Sequence, residues 1–231
     1  MIISHKHKFI FIKTMKTAGT SIEVFLSQFC DSNDIVTPIE PHVEPHLARN
    51  FKGVWNPLPV FAFKSGFGFW EKFFAIKSFI NGQKFYNHMP AIYVKDRIPG
   101  SIWDSYYKFC VDRNPWDKTI SHFWLLKHVL YKNLTFDQYL KLGVFCLNYP
   151  LYTDRSGNVL VDKVVKYESL NSELGEIFSM LGIPFNGDLG VKAKSGIRKD
   201  TGNYRDSFTE DQHRFIEKIF AEEIKLNGYS W

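Results

Sequence analysis

Two clusters of residues in this chain have types and spacings that could handle an anion. The first is Lys16-Thr17-Ala18-Gly19-Thr20-Ser21, which sets a cation, a glycine and three hydroxyls within six positions. The second begins at Arg113 and reaches Ser121 eight residues later. Arginine offers a planar fork of N–H groups and serine one short directional hydroxyl, a pairing suited to a phosphate lying along a helix.

The elements around each cluster are legible. Lys8-Phe9-Ile10-Phe11-Ile12-Lys13 is short, apolar and rich in β-branched and aromatic residues, and Ile22, Phe25, Leu26 and Phe29 follow at helical spacing. The first cluster therefore lies between a buried strand and a helix. Free backbone N–H groups and the positive end of the helix dipole meet at such a junction, and Gly19 lets the backbone approach a ligand closely. The pattern departs from G-x-x-x-x-G-K-[ST], because the lysine precedes the glycine and the first glycine is missing, which argues against ATP or GTP hydrolysis. An ordinary helix start with a surface lysine is the alternative. Around the second cluster, Tyr107–Val111 reads as a strand and Asp112–Pro115 as a loop. Asn114 suits an N-cap and Pro115 a first helical position, with the helix running from about Trp116 into Leu130.

Elsewhere, residues 31–60 carry five prolines and read as irregular, and residues 61–87 are Phe-rich with Lys64, Lys72, Lys77 and Lys84 and a short helix near Glu71–Ile80. Val159–Val165 is a third strand, and Asn171–Leu181 a helix closed by Gly182 and Pro184. A polar basic stretch over 187–207 leads to a terminal helix capped by Thr209, with Phe215, Ile219, Phe220 and Ile224 as its apolar stripe. Strands alternating with helices predict a three-layer α/β domain with a mainly parallel central sheet flanked by helices. The 231 residues suit a single domain over 1–231.

The composition bounds the partners. A net charge of +5 favours an anionic ligand, but no dense Lys/Arg run supports nucleic-acid binding. Cys30, Cys110 and Cys146 have no paired spacing and are expected reduced, in a cytoplasmic setting. No signal-peptide core and no apolar run of membrane-spanning length is present.

Lys16–Ser21 and Val111-Asp112-Arg113-Asn114-Pro115-Trp116-Asp117-Lys118-Thr119-Ile120-Ser121 together resemble the two phosphate-binding motifs of the sulfotransferases that use 3′-phosphoadenosine-5′-phosphosulfate (PAPS), in particular the carbohydrate branch. A third stretch, Gly202–Asp206 through Gly228-Tyr229, is similar to the family's C-terminal segment. The resemblance implies a P-loop-like fold. It also implies sulfuryl transfer from PAPS to an acceptor hydroxyl, leaving adenosine 3′,5′-bisphosphate (PAP) and needing no metal. Lys16 would stabilise charge on the leaving phosphate. Thr17, Ala18, Gly19, Thr20 and Ser21 would hold the 5′-phosphate. Arg113 and Ser121 would hold the 3′-phosphate, and Arg198 and Lys199 would close over the nucleotide. Met15 stands where the family often has proline, and Asp112 sets an acid beside Arg113.

Such a transfer needs a base, and a neutral histidine suits the task near pH 7. His88, in His88-Met89-Pro90-Ala91 ahead of the second unit, matches the family's placement. His42 and His46 are its rivals. Their spacing of four would suit a metal on a helix, but Pro41 and Pro45 make this segment a substrate-binding loop instead. The aromatic and lysine-containing stretch 61–87 is a candidate groove for a carbohydrate acceptor. Two other readings stay open: a P-loop-like small-molecule kinase, and a non-catalytic nucleotide- or glycan-binding module.

Overall fold

The computed structural model describes residues 1–57, 76–191 and 202–231. A five-stranded sheet organises the chain, in the order β3-β1-β2-β4-β5. Its strands are β1 (Ile2–Ser4), β2 (Phe9–Ile12), β3 (Ile35–Val36), β4 (Tyr107–Asp112) and β5 (Lys163–Lys166). β2 pairs in parallel with β4, and β4 with β5, whereas β1 is antiparallel to both β2 and β3. Four of the five strands thus share a direction, and β1 alone runs against them. The sheet is thus mostly parallel, as expected, and β1 is the exception for a local reason: Ile2–Ser4 returns through a tight turn to Phe9, and a connection that short can only join antiparallel neighbours.

Strand residues alternate between two apolar layers. Phe9, Phe11, Phe109, Val111 and Val165 pack with Ile22, Phe25 and Leu26 of α1 (Gly19–Ser27) and with Leu174, Ile177 and Phe178 of α7 (Leu170–Met180). Ile10, Ile12 and Cys110 face the opposite layer, with Met89, Tyr93 and Val94 around α2 (Ala91–Lys95) and Trp103 of α3 (Gly100–Ser105). Burial on both faces explains why β2 and β4 read as continuous apolar runs rather than alternating ones. Helices therefore cover both sides of the sheet, as expected of a three-layer architecture.

A third apolar cluster lies beyond the sheet. Trp116 and Phe123 of α4 (Pro115–Val129) pack on Tyr139 and Leu140 of α5 (Phe136–Leu142), and on Ile216 and Phe220. The expected single terminal helix is two, α8 (Glu210–Ile219) and α9 (Ala221–Asn227), parted at Phe220. Thr209 caps α8 as read from the sequence, through a reciprocal capping box with Gln212. The break turns Ile216 and Phe220 inward and leaves Phe215 and Ile219 exposed, so the expected stripe is only partly the buried one.

The third strand also shifts. Asp154 accepts the N–H groups of Ser156 and Asn158 and folds that segment into a turn, so regular pairing starts at Lys163 rather than Val159. Asn114 caps α4 with Pro115 in its first turn, as its residues predict. Of the helix expected over 71–80, residues 71–75 lie outside the described residues and 76–80 are helical. All three cysteines are free thiols. Among the described residues no helix is long and apolar enough to cross a membrane. Between α5 and β5 stands a further short helix, α6 (Tyr149–Tyr152).

Candidate functional site

The parallel pairing of β2 with β4 sets Ile12 opposite Cys110, so both strands deliver their following loops to the same edge of the sheet. In open α/β sheets ligands bind in the crevice at this carboxyl edge.

The first loop runs from Lys13 to Ala18. Thr14 pins it to the neighbouring strand by donating its hydroxyl to the Val111 carbonyl. Thr17 is fully buried, its hydroxyl 2.8 Å from that of Thr14. Its side chain is therefore spent within the loop, and the backbone N–H is what Thr17 can offer a ligand. Lys16 and Ala18 adopt left-handed conformations, φ 62° and 58°, which are uncommon for residues other than glycine. Ala18 stands at the N-cap of α1 without a side-chain cap. A helix start lacking the usual Ser, Thr, Asp or Asn cap keeps its first-turn amides available to an outside acceptor. Gly19 is required by close approach: a Cβ there would lie 2.8 Å from the Lys13 Cγ. That lysine runs beneath the helix start to Glu23, with Nζ 2.6 Å from the carboxylate.

The second loop meets the first. Arg113 donates through Nη1 to the Lys16 carbonyl at 3.3 Å, while Nε and Nη2 reach Asp117 Oδ2 at 2.7 and 2.6 Å. The guanidinium also lies 4.1 Å from the centre of the Tyr167 ring. Asp117 follows Arg113 by four residues and precedes Ser121 by four, so Asp117 and the half-buried Ser121 share one face of α4. The Lys16 ammonium lies close enough to His122, the neighbour of Ser121, to disfavour its protonation. Burial is the larger cause, and together they take His122 down to about 4. The Arg113–Lys16 contact brings the two loops together, and Ser121 stands on the Asp117 side of α4, about two turns from its start.

Asp112 turns the other way, as strand alternation requires. It is fully buried and accepts Lys118 Nζ at 2.9 Å, Tyr152 OH at 2.8 Å and Asn148 Nδ2 at 3.0 Å. The acid flanking Arg113 thus commits its carboxylate to a buried network rather than to the Arg113 guanidinium.

His88 reaches the first loop from another element. Its Nδ1 is 3.2 Å from the Lys13 carbonyl oxygen. A carbonyl can only accept, so Nδ1 carries the proton and Nε2 keeps a lone pair. The residue is held at φ 56°. Burial, then the nearby Lys13 charge, lower its pKa to about 3. Of its rivals, His42 is exposed and paired with Glu44 at 2.8 Å, whereas His46 is buried, its pKa lowered chiefly by that burial. The 41–46 segment therefore turns one histidine outward and packs the other inside. Arg198 and Lys199 lie outside the described residues, as do Lys64 and Lys72 of the expected acceptor groove.

Three residues of this constellation were not singled out from the sequence. Asp117 could have been found by its four-residue offset from Arg113. Tyr167 and Asn148 come from distant segments and carried no local signal.

The fold and site define a three-layer α/β protein with two anion-suited loops at the carboxyl edge of its sheet. No family model matches the chain. A protein of Archaeoglobus fulgidus, named only "Uncharacterized protein", is 34% identical over 101 residues, covering 42% of this chain and 84% of that protein. The chain belongs to that protein's family, and the name supplies no activity. The crystal structure of a sulfotransferase from Alicyclobacillus acidocaldarius aligns over 91% of this chain and 94% of its own, with a TM-score of 0.37 and 18% identity. So distant a likeness carries no functional weight, and the functional reading rests on the loops themselves.

Proposed function

We propose that this chain is a sulfotransferase that moves a sulfuryl group from PAPS to a carbohydrate hydroxyl. The observation that carries the reading is the 3.3 Å contact between Arg113 Nη1 and the Lys16 carbonyl, which makes the two motifs walls of a single site. A nucleotide with phosphates at both its 5′ and 3′ positions fits such a site, because each loop offers its own cation and N–H or O–H groups.

In this reading the uncapped start of α1 holds the 5′-phosphate through the amides of Thr17 to Ser21, and Arg113 and Ser121 hold the 3′-phosphate. Arg198 and Lys199 are assigned to closure over the nucleotide. The acceptor oxygen attacks sulfur in line with the bridging oxygen, the S–O bond to the phosphate breaks, and PAP departs. Lys16 stabilises the charge that develops on the leaving oxygen. His88 Nε2 takes the acceptor's proton. A pKa of about 3 leaves this ring neutral but only weakly basic in the ligand-free protein. The negative charge of a bound phosphosulfate would raise it, by the same Coulomb effect through which Lys13 lowers it.

The test is a thermal-shift comparison of PAP, PAPS, ATP and GTP, followed by transfer of labelled sulfate from PAPS to a panel of glycans. Stabilisation by the 3′-phosphorylated nucleotides above ATP and GTP, together with a labelled glycan, supports the reading. Preference for ATP favours a kinase, and nucleotide binding without turnover favours a non-catalytic module.

A further inference from the structure

The first loop is held from outside as well as from within. Asn148 is fully buried, at the start of α6 and 133 positions from Met15. Its Oδ1 accepts the Met15 N–H at 2.8 Å, and its Nδ2 donates to the Met15 carbonyl at 3.0 Å. One side chain thus brackets both backbone groups of the residue before Lys16. The same Nδ2 reaches Asp112 Oδ1 at 3.0 Å, and Asp112 and Glu223 share the Lys118 ammonium at 2.9 and 2.5 Å. Glu223 accepts the backbone N–H of Asn148 itself and that of Tyr149. An unbroken chain of buried polar contacts therefore runs from α9, through α4 and the end of β4, to the loop.

We infer that Asn148 is a positioning residue that fixes the Met15 peptide, and with it Lys16 and the amides that follow, in the anion-binding conformation before any ligand arrives. This rests on the reading of that loop as the donor-nucleotide site. A loop with a left-handed residue at Lys16 and another at Ala18 is not one the chain adopts without support. Thr14 anchors one end to β4, and Asn148 supplies the anchor next to Lys16. Without that anchor the loop would be ordered at the expense of binding energy, so the loss falls on affinity for the nucleotide more than on the rate of the bound complex.

The experiment compares Asn148→Ala with Tyr152→Phe. The latter removes a 2.8 Å hydrogen bond to Asp112 in the same network and leaves the Met15 bracket intact. Both variants are expected to melt at lower temperature. Only Asn148→Ala is expected to raise the PAP dissociation constant and the KM for PAPS about tenfold, with kcat at saturating PAPS within about threefold. Hydrogen–deuterium exchange over residues 13–20, measured without nucleotide, should quicken in Asn148→Ala alone. If the two variants change affinity and exchange alike, Asn148 is only a stabiliser of the network and the inference is overturned. Exchange does not depend on the ligand's identity. A wild-type protein that ignores PAP would therefore sink the donor reading while the exchange comparison still decides whether Asn148 holds the loop. Should Asn148→Ala not fold, Asn148→Ser is read in both assays against the same expectations.

Discussion

His88 donates through Nδ1 to the Lys13 carbonyl, which assigns its proton and leaves Nε2 as the basic atom. With the ligand-free pKa at about 3, kcat/KM should show no inflection attributable to this residue between pH 5 and 8, since that ratio reports the free protein. The kcat profile should bend at a higher pH, once donor charge has raised the ring's basicity. An inflection in kcat/KM near 6.5, with its loss in His88→Ala, would mean that the imidazole titrates as if exposed. His88→Ala should lower kcat by about 10²–10⁴-fold with PAP affinity near wild type. His46→Ala, at a buried ring, should instead lower the melting temperature and leave kcat of the folded fraction close to normal. Loss of turnover in His46→Ala alone would move the base to the 41–46 segment. Lys16→Ala should cost about 10²–10³-fold in kcat, because charge at a leaving oxygen acts in the transition state. A variant that turns over normally would remove Lys16 from the chemistry. At this scale the sequence supplied the residue types but not their commitments: it could not show that Thr17 spends its hydroxyl on Thr14, or that Asp112 faces Lys118.

At the scale of elements, the two strand–loop–helix units were legible because each has local punctuation. β2 is a short apolar run, Gly19 follows it, and Asn114-Pro115 opens α4. β1 and β3 span only three and two residues, too short for a periodic signal, and the tertiary pairing alone defines them. The break at Phe220 was hidden for a related reason: Ile216 and Phe220 keep helical spacing across it, although the backbone departs from helix at Phe220. Gly19 allows a test in which two effects oppose. Alanine within a helix is ordinarily favoured over glycine by about 1 kcal/mol. Here its Cβ would press on Lys13 Cγ at 2.8 Å and on the Thr14 carbonyl at 3.3 Å, and Lys13 is pinned to Glu23. Crowding of this kind typically costs about 1–3 kcal/mol. Gly19→Ala should therefore be destabilised in urea titration and weakened in PAP binding; a stabilised variant would show that Lys13 can move aside.

Over the whole molecule, buried titratable groups set the response to acid. His88 and His122 are held neutral in the fold to about 3 and about 4, whereas in the unfolded chain they take up protons below about 6.5. Between those limits the unfolded state binds more protons at these two rings, so their contribution to stability should fall as pH drops from about 6.5 towards 4, against an opposite contribution from Glu223, whose carboxyl burial raises to about 7. His122→Gln should flatten part of that slope in denaturant titrations at several pH values; an unchanged slope would mean that His122 protonates in place. Calorimetry of PAP with wild type and Arg113→Ala decides whether the two sequence-distant loops form one site for a nucleotide phosphorylated at both ends. Hydrogen bonds to a charged group contribute about 1.5–3 kcal/mol. Wild type should bind PAP more tightly than ATP, and Arg113→Ala should lose at least about tenfold in PAP affinity. Wild type that binds ATP as well as PAP, or an Arg113→Ala variant with unchanged PAP affinity, would contradict the single site.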